Sequence, residues 1–594
     1  MNSDHSNWLI ADDVGLGKTI EIGLLLAAKK RRRQARRVLV VCPAGVVRQW
    51  QDEMRYKFNE DFRIYGLDFN INQPSHWATY DKVIVSIDRA KSDSHSPIFG
   101  DSGEWDVIVF DEAHHLSRIE GQAVTQRYQL AERLKDMTDS FLFLTGTPHQ
   151  GRTHQFVNLL LLLRPDLVER FRRISSDPAV VAELVLRNRK SLVTDVSGNF
   201  IFRGQTTNRV DVPLSESARV FDAQLQSYLR YGYAASEAGG TTGRAIGFVM
   251  TTYRKLASSS IAAIERALER RASRLRGENE SRLVDGLVPT LEEMEEAFEE
   301  GLDNADDLGE VSDTIVVSNI GANPFFEDEQ RQIAQLLTTA KQVKRDDLKL
   351  RRFLSEIVDP IYRANERLLV FTEYRANQDY LVTALRERHP DGGVAQINGS
   401  MSLSEKRTNI DTFNDTAQFM VSTEAGGEGI NLHDRCHILV NYDLPWNPSR
   451  LVQRAGRLYR YGQQKRVIVF NLTAEDGFDN KTLSMMLDRV ESIAQDMAEV
   501  DDDYRDGLET EIIGDLLERL DIASILSANR SMDVSRTDAE IDAAIERARE
   551  AKRQQENLFA HVEGYNPQGS WTGECIVSRQ PKERGFSKPF SAAC

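Results

Sequence analysis

Apolar runs of four or five residues punctuate both ends of this chain, and each is cut off by a polar or glycine-rich turn. Trp8–Ala11, Val38–Cys42, Val83–Ser86, Val107–Phe110 and Phe141–Leu144 do so in the first part, and Leu368–Phe371, Phe419–Ser422 and Ile438–Asn441 in the later part, where Gln396–Ile397 also reads as a strand ending in a turn at Gly399. A continuous apolar run is how a strand covered on both faces of a parallel sheet reads. Between the runs lie segments of helical period, such as Ile20–Lys30 and Ala44–Phe58, with Val47, Trp50, Met54 and Phe58 on one stripe. Strands alternating with helices predict α/β units whose ligands bind at the carboxyl ends of the strands.

The rhythm stops from Gly151 to about Arg367. Helical patterns run over Gln155–Leu163, Leu214–Arg230, Ile246–Leu275 and Leu336–Ile357, and an acidic tract from Glu292 to Glu310 lies among them. This span is too long for a loop and predicts a helical insertion. Helical patterns return over Asp479–Asp501, Leu516–Leu526 and Ala539–Gln555, followed by a polar, irregular end. The expected division is therefore 1–150 as one α/β lobe, 151–366 as helical insertion and linker, 367–480 as a second lobe and 481–594 as a helical extension and tail.

The turns carry the chemistry. Gly15-Leu16-Gly17-Lys18-Thr19 follows the first strand and opens a helix. Helix starts offer unpaired N–H groups and positive potential to a phosphate, and the two glycines let the loop wrap it closely. Lys18 is placed to reach terminal phosphates and the Thr19 hydroxyl to hold Mg²⁺. The strict phosphate-loop pattern has glycine where this chain has Asp12. After Phe110 stand Asp111 and Glu112. A carboxylate at a strand end near such a loop suits a magnesium ion, and its neighbour suits activation of the attacking water; Asp111 is assigned to the metal and Glu112 to the base. Thr145-Gly146-Thr147-Pro148 ends another strand, where it can sense the same phosphate.

In the later part, Thr423 leads into Gly426, Gly427 and Gly429, which permit close backbone approach to phosphate or to a neighbouring lobe. Arg454, Arg457 and Arg460 recur every third residue, which on a helix puts them on one face. A phosphoryl-transfer site wants a planar cation at the terminal phosphate.

With 594 residues and a formal charge of −16, the chain has room for several cores and no general basic coat, so any nucleic-acid contact must be local. Candidate local patches are Lys29–Arg33, the side formed by Arg266, Arg270, Arg271, Arg274 and Arg276, and that formed by Lys344, Arg345, Lys349, Arg351 and Arg352. Cys42, Cys436, Cys575 and Cys594 lack metal spacing and read as reduced thiols of a cytoplasmic protein, and no run is long enough to span a bilayer.

Asp13–Thr19, Cys42–Ala44, Asp111–His114, Leu144–Pro148 and Gln453–Gln463 together resemble the motifs of superfamily 2 helicase-like ATPases, and more narrowly the SNF2 (SWI2) group, in family order. The likeness is nearest the bacterial and archaeal type related to the RNA-polymerase-associated recycling ATPase and to SNF2-like proteins of phage-defence (DISARM-type) systems. It implies two RecA-like lobes with helical protrusions, ATP and Mg²⁺ as cofactors, and arginine fingers at Arg457 and Arg460. Arg454 matches other superfamily 2 members and would also face the nucleotide, with Gly429. The resemblance further implies double-stranded DNA lying across both lobes near Thr145–Thr147 and Thr423–Gly429, gripped mainly by its backbone, with Thr145–Pro148 coupling hydrolysis to DNA contact and with protein partners in a defence or transcription complex. Family members carry a helix and a Gln loop ahead of the first strand that touch adenine; here only Met1–Asn7 precede Trp8, so that segment of the lobe is expected to be missing. The implied function is an ATP-dependent DNA translocase that remodels or displaces protein–DNA complexes. An RNA helicase, a strand-separating DNA helicase and an ATP-gated scaffold are the alternatives.

Overall fold

The computed structural model describes residues 6–562 except 278–322, 424–431, most of 498–533 and the shorter stretches 14, 72, 93–94, 117, 119–123, 147–152, 175–178, 191–192, 194–200, 214, 238, 475–477 and 560–561. The apolar runs become two all-parallel sheets. The first holds β1 (Trp8–Ile10), β2 (Val38–Cys42), β3 (Arg63–Ile64), β4 (Lys82–Ser86), β5 (Val107–Phe110), β6 (Phe141–Leu144) and β7 (Val185–Leu186), in the order β3-β4-β2-β5-β6-β1-β7. β2, β5 and β6 are buried at every residue, as their composition requires. Alternate residues serve two cores. Val38 and Val40 face α1 (Lys18–Arg31) and α2 (Val47–Phe58) with Ile22, Leu26, Trp50 and Met54, while Leu39 and Val41 join Phe110, Phe141 and Phe143 behind the sheet.

The chain leaves β1 through α1 and re-enters at β2, skipping the positions that β5 and β6 later fill. Such a reversal opens a crevice at the carboxyl edge. The loops carrying Gly15–Thr19, Asp111–Glu112 and Thr145–Gly146 all leave that edge, after β1, β5 and β6.

The second sheet holds β8 (Gln205–Val212), β9 (Leu368–Thr372), β10 (Val394–Ile397), β11 (Phe419–Thr423), β12 (Ile438–Asn441) and β13 (Val467–Ala474), in the order β10-β11-β9-β12-β13-β8. Two strands lie inside the span 151–366 that the sequence reading assigns to helices. β7 pairs with β1, Leu9 opposite Val185, and β8 lies along β13 from Gln205–Val467 to Val212–Ala474. The second lobe thus begins with an edge strand, departs into helices and returns at β9. Fold class is as expected: two RecA-like lobes of parallel sheet flanked by helices, with a helical insertion and a C-terminal helix.

The insertion packs Glu216–Ser236, Gly240–Ser259, Ile261–Leu275 and Glu329–Arg345 around one apolar core. The expected helix Ile246–Leu275 is broken at Ser260, whose extended backbone frees its hydroxyl to cap the next helix at Ala263 N. The bundle sits on the second lobe through Ser259 Oγ to Asp443 (2.5 Å) and Trp446 Nε1 to Ser258 Oγ (3.2 Å). Past β13, Phe478–Met497 packs with the helix Val534–Phe559, whose last residues Leu558 and Phe559 reach the core of the first lobe. Among the described residues no helix is long and apolar enough to cross a membrane. The acidic tract lies outside the described residues.

Candidate active site

Gly15 and Gly17 adopt φ of +90° and +97°, backbone that an L side chain strains, so the loop's tight path depends on both. Gly17 is the cap residue of α1, and Lys18 is its first helical residue. The Lys18 ammonium donates back to the carbonyl of Asp12 at 2.8 Å, across the mouth of the loop. Leu16 is half-buried against the second lobe's apolar core, and Thr19 is half-buried on the first turn. Asp12, where the strict pattern has glycine, is buried; its carboxylate accepts from Asn188 N at 2.8 Å and Asn188 Nδ2 at 2.9 Å. Glu21, one turn into α1, is pushed up to about 8 by burial and by the neighbouring Asp12 carboxylate.

Asp111 follows β5. Its Oδ2 accepts the Trp50 indole N–H at 2.8 Å and its Oδ1 accepts Glu112 N at 3.0 Å. Burial, then the charge of Glu112, raises its pKa. Burial acts on Glu112 in the same direction, but the hydrogen bond and charge of His114, with Lys18 and His115 behind, hold it below the ordinary carboxylate range. Glu112 takes a left-handed backbone, φ 49° and ψ 48°, rare outside glycine and asparagine. That turn brings His114 Nδ1 within 3.3 Å of the Glu112 carboxylate and 3.0 Å of Thr145 Oγ1. A side-chain relay therefore joins the loops after β5 and β6.

A magnesium nucleotide fits this chemistry. A buried carboxylate raised by its neighbour gains from a cation, and the loop backbone is open to a phosphate through its two glycines. Among the described residues no cluster of three or more His, Cys, Asp or Glu forms a metal cage.

The second lobe closes on this edge. Lys190 Nζ donates to the Tyr459 carbonyl at 2.9 Å, the Arg460 guanidinium stands 3.8 Å from Glu53 on α2, and Arg407 meets Asp52 on the same helix at 2.5 Å. Burial lowers the pKa of Arg460, and Glu53 opposes that shift.

Several expectations are corrected. The arginines do not share a helix face, because the helix Ser449–Ala455 ends before Gly456 and only Arg454 belongs to it. Arg454 is enclosed in the second lobe, donating to Asn441 Oδ1 (3.2 Å) and the Asp443 carbonyl (3.1 Å). Arg457 and Arg460 lie in the turns beyond, half-buried. Thr145 and Thr423 are wholly buried. Gly146 is half-buried beside Thr145. Thr147, Gly426, Gly427 and Gly429 lie outside the described residues. Much of the two basic helix sides is engaged within the protein: Arg271 with Glu329, Lys344 with Glu265, Lys349 with the Ser259 carbonyl and Arg351 with Asp346.

Trp50, Asn188 and Lys190 escape the sequence reading. Trp50 reads as helix core, yet a buried indole N–H seeks a partner, and that rule could have marked it. Asn188 and Lys190 sit in a polar stretch after a two-residue strand, which no period detects.

Two parallel-sheet lobes, a phosphate loop and carboxylate pair on one, and an arginine turn on the other, define a two-lobed nucleoside-triphosphatase. Residues 1–191 match the SNF2-related domain and residues 349–462 the helicase conserved C-terminal domain. The chain carries an SNF2-related domain and a helicase C-terminal domain, and ATP hydrolysis is the activity these domains imply. It is 29% identical over 511 residues to the uncharacterized ATP-dependent helicase YqhH of Bacillus subtilis, covering 83% of this chain and 77% of that protein. It is 27% identical over 485 residues to the RNA polymerase-associated protein RapA of Yersinia enterocolitica, covering 77% of this chain but 45% of that protein. The chain thus spans less than half the length of that relative. Among solved structures, the Sulfolobus solfataricus SWI2/SNF2 ATPase core in complex with dsDNA aligns with 85% of this chain and 90% of its own, at 18% identity and a TM-score of 0.30.

Proposed function

We propose that the chain is an ATP-driven motor that moves along double-stranded DNA and displaces proteins bound to it. The observation that carries this is the meeting of Gly15, Lys190 and Tyr459 where the phosphate loop abuts the arginine-bearing turn. A Cβ on Gly15 would stand 3.4 Å from both Lys190 Nζ and the Tyr459 carbonyl oxygen. Residues separated by more than 440 positions thus border one cleft, and a ligand gripped from both sides can drive lobe movement.

In this reading Gly15–Thr19 bind the phosphates, with Lys18 on the terminal ones, and Thr19 and Asp111 hold the magnesium. Magnesium held there would supply withdrawal of charge from the phosphoryl oxygens. Glu112, kept ionised by His114, takes the proton of the attacking water. Arg457 and Arg460 stabilise charge from the second lobe, so turnover requires closure. The His114–Thr145 contact carries the state of the carboxylate pair to the loop after β6, which makes Thr145 and Gly146 coupling residues rather than DNA ligands. Contacts to backbone phosphates would leave little sequence preference. The likeness to an RNA polymerase-associated protein of Yersinia supports a transcription complex as the setting, with RNA polymerase as the partner to try first.

The test is steady-state ATP hydrolysis with duplex DNA, single-stranded DNA and RNA. Duplex DNA should stimulate, and Lys18→Ala or Glu112→Gln should lower the stimulated rate by at least about 100-fold, the scale of losing one transition-state contact. Equal hydrolysis with and without DNA would defeat the motor. Stimulation by RNA alone would point to an RNA helicase. Partner binding retained by Lys18→Ala with unchanged biological output would point to a scaffold.

A further inference from the structure

Between β7 and β8 the chain crosses from one lobe to the other, and its first residues lie as a strap over the phosphate loop. The strap is held at several points. Asp12 accepts from both the backbone and the side-chain nitrogen of Asn188. Asp13 N donates to the Asn188 carbonyl at 3.2 Å, and Asp13 Oδ2 accepts Lys190 N at 2.9 Å. The Arg187 guanidinium stands 3.9 Å from Asp13 Oδ1, and on its other side it lies over Phe559 of the C-terminal helix. Two carboxylates of the phosphate-loop motif are therefore engaged by the strap.

The backbone of Lys190 belongs to this first-lobe assembly, but its side chain reaches the second lobe. The ammonium donates to the Tyr459 carbonyl at 2.9 Å and stands over the rings of Tyr459 at 4.5 Å and Phe202 at 5.6 Å. Tyr459 is flanked by Arg460 and, two residues back, by Arg457. A carbonyl between two arginines is a rigid handle on both, and the aromatic faces fix the cation's approach.

We propose that Lys190 is a positioning residue for ATP hydrolysis: anchored to Asp13, it sets where the Arg457–Arg460 turn stands relative to the phosphate loop. This rests on the ATPase-motor reading above. The chemistry asks for such a device because the two arginines lie in non-helical turns, and a displacement of about 1 Å at a transition-state contact can cost roughly 100-fold in rate.

The experiment uses the full chain with Lys190→Ala, Lys190→Gln, Asp13→Ala and the double variant Asp13→Ala/Lys190→Ala. Readouts are kcat, KM for ATP, and binding of a fluorescent ATP analogue. Positioning predicts that Lys190→Ala lowers kcat by roughly tenfold or more while KM and analogue affinity move less than about threefold. Lys190→Gln, which keeps an N–H donor and drops the charge, should recover part of kcat. Asp13→Ala should show the same pattern, and the double variant should be no worse than the poorer single, since both break one linkage. Weakened analogue binding with kcat preserved would overturn the proposal in favour of a direct phosphate contact, as would rescue failing with Gln. Unchanged kinetics in both single variants would overturn it outright. A wild-type chain that hydrolyses no more ATP than Lys18→Ala would instead count against the motor reading.

Discussion

Glu373 sits just past β9 with its side chain 7% exposed, its backbone N–H donating to Asp443 and its carboxyl 3.9 Å from Arg450. Burial first, and the Asp443 carboxylate second, push its pKa from 4.5 to about 7; Arg450, Arg454 and Lys255 pull the other way. The folded chain therefore holds this proton more tightly than the unfolded one. The resulting stability is fully present below about pH 4.5 and is lost as pH rises through 7. Glu373→Gln, which cannot ionise, should match the parent near pH 4.5 and exceed it at pH 8, by ~3 kcal/mol at most. Urea denaturation across that range checks this, and a difference independent of pH would refute it. The same scale explains what local motifs can reveal. Gly15, Gly17, Asp111 and Glu112 are legible because their chemistry depends on neighbours in sequence. The enclosure of Arg454 and the indole bond to Asp111 depend on partners far along the chain.

Among elements, the helical bundle is held by a buried pair. Arg271 and Glu329 have side chains 0% exposed and form two N–H···O bonds at 2.9 Å. Glu329 also accepts from the Tyr228 hydroxyl (2.9 Å) and from Phe325 N (2.6 Å), and the guanidinium lies 3.7 Å from the Phe325 ring. Removing one partner strands the other charge away from water. Glu329→Ala should destabilise the bundle by ~3–5 kcal/mol, and Arg271→Met/Glu329→Leu should recover much of that loss. Hydrogen exchange along Ile261–Leu275 and Glu329–Arg345 would locate the effect; exchange unchanged there would refute it. Arg271 reads in sequence as one cation of a surface stripe, since period alone cannot tell a paired face from a solvated one. Strands divide in the same way. β2, β5, β6, β9, β11 and β12 are legible because burial on both faces writes an unbroken apolar run. β8 is mostly polar, Gln-Thr-Thr-Asn-Arg-Val-Asp-Val, because it lies at a sheet edge with several residues exposed. Its place comes from pairing with β13, a long-range contact that composition does not record.

At the scale of the whole molecule, α2 meets both sides of the cleft. Trp50 bonds Asp111, Glu53 faces Arg460, and Asp52 pairs with Arg407 from the second lobe. The Arg407–Asp52 pair lies at the rim, with side chains 57% and 39% exposed, so its own worth is at most ~1 kcal/mol. Its position gives it leverage, because it forms only when the lobes meet. Arg407→Glu puts a third carboxylate beside Asp52 and Glu53, turning a weak attraction into a repulsion of similar size. The closed population should then fall by roughly tenfold, the equivalent of about 1.4 kcal/mol. If turnover requires closure, the apparent KM for ATP should rise by several-fold while the rate at saturating ATP is largely retained, since bound nucleotide favours the closed form. Asp52→Arg/Arg407→Glu, which restores opposite charges, should bring KM back toward the parent value, and added salt should shrink the difference between parent and single variant. Fluorescence transfer between labels on the two lobes would report closure directly. A single variant that closes and hydrolyses like the parent at low salt would show that the rim pair has no part in bringing the lobes together.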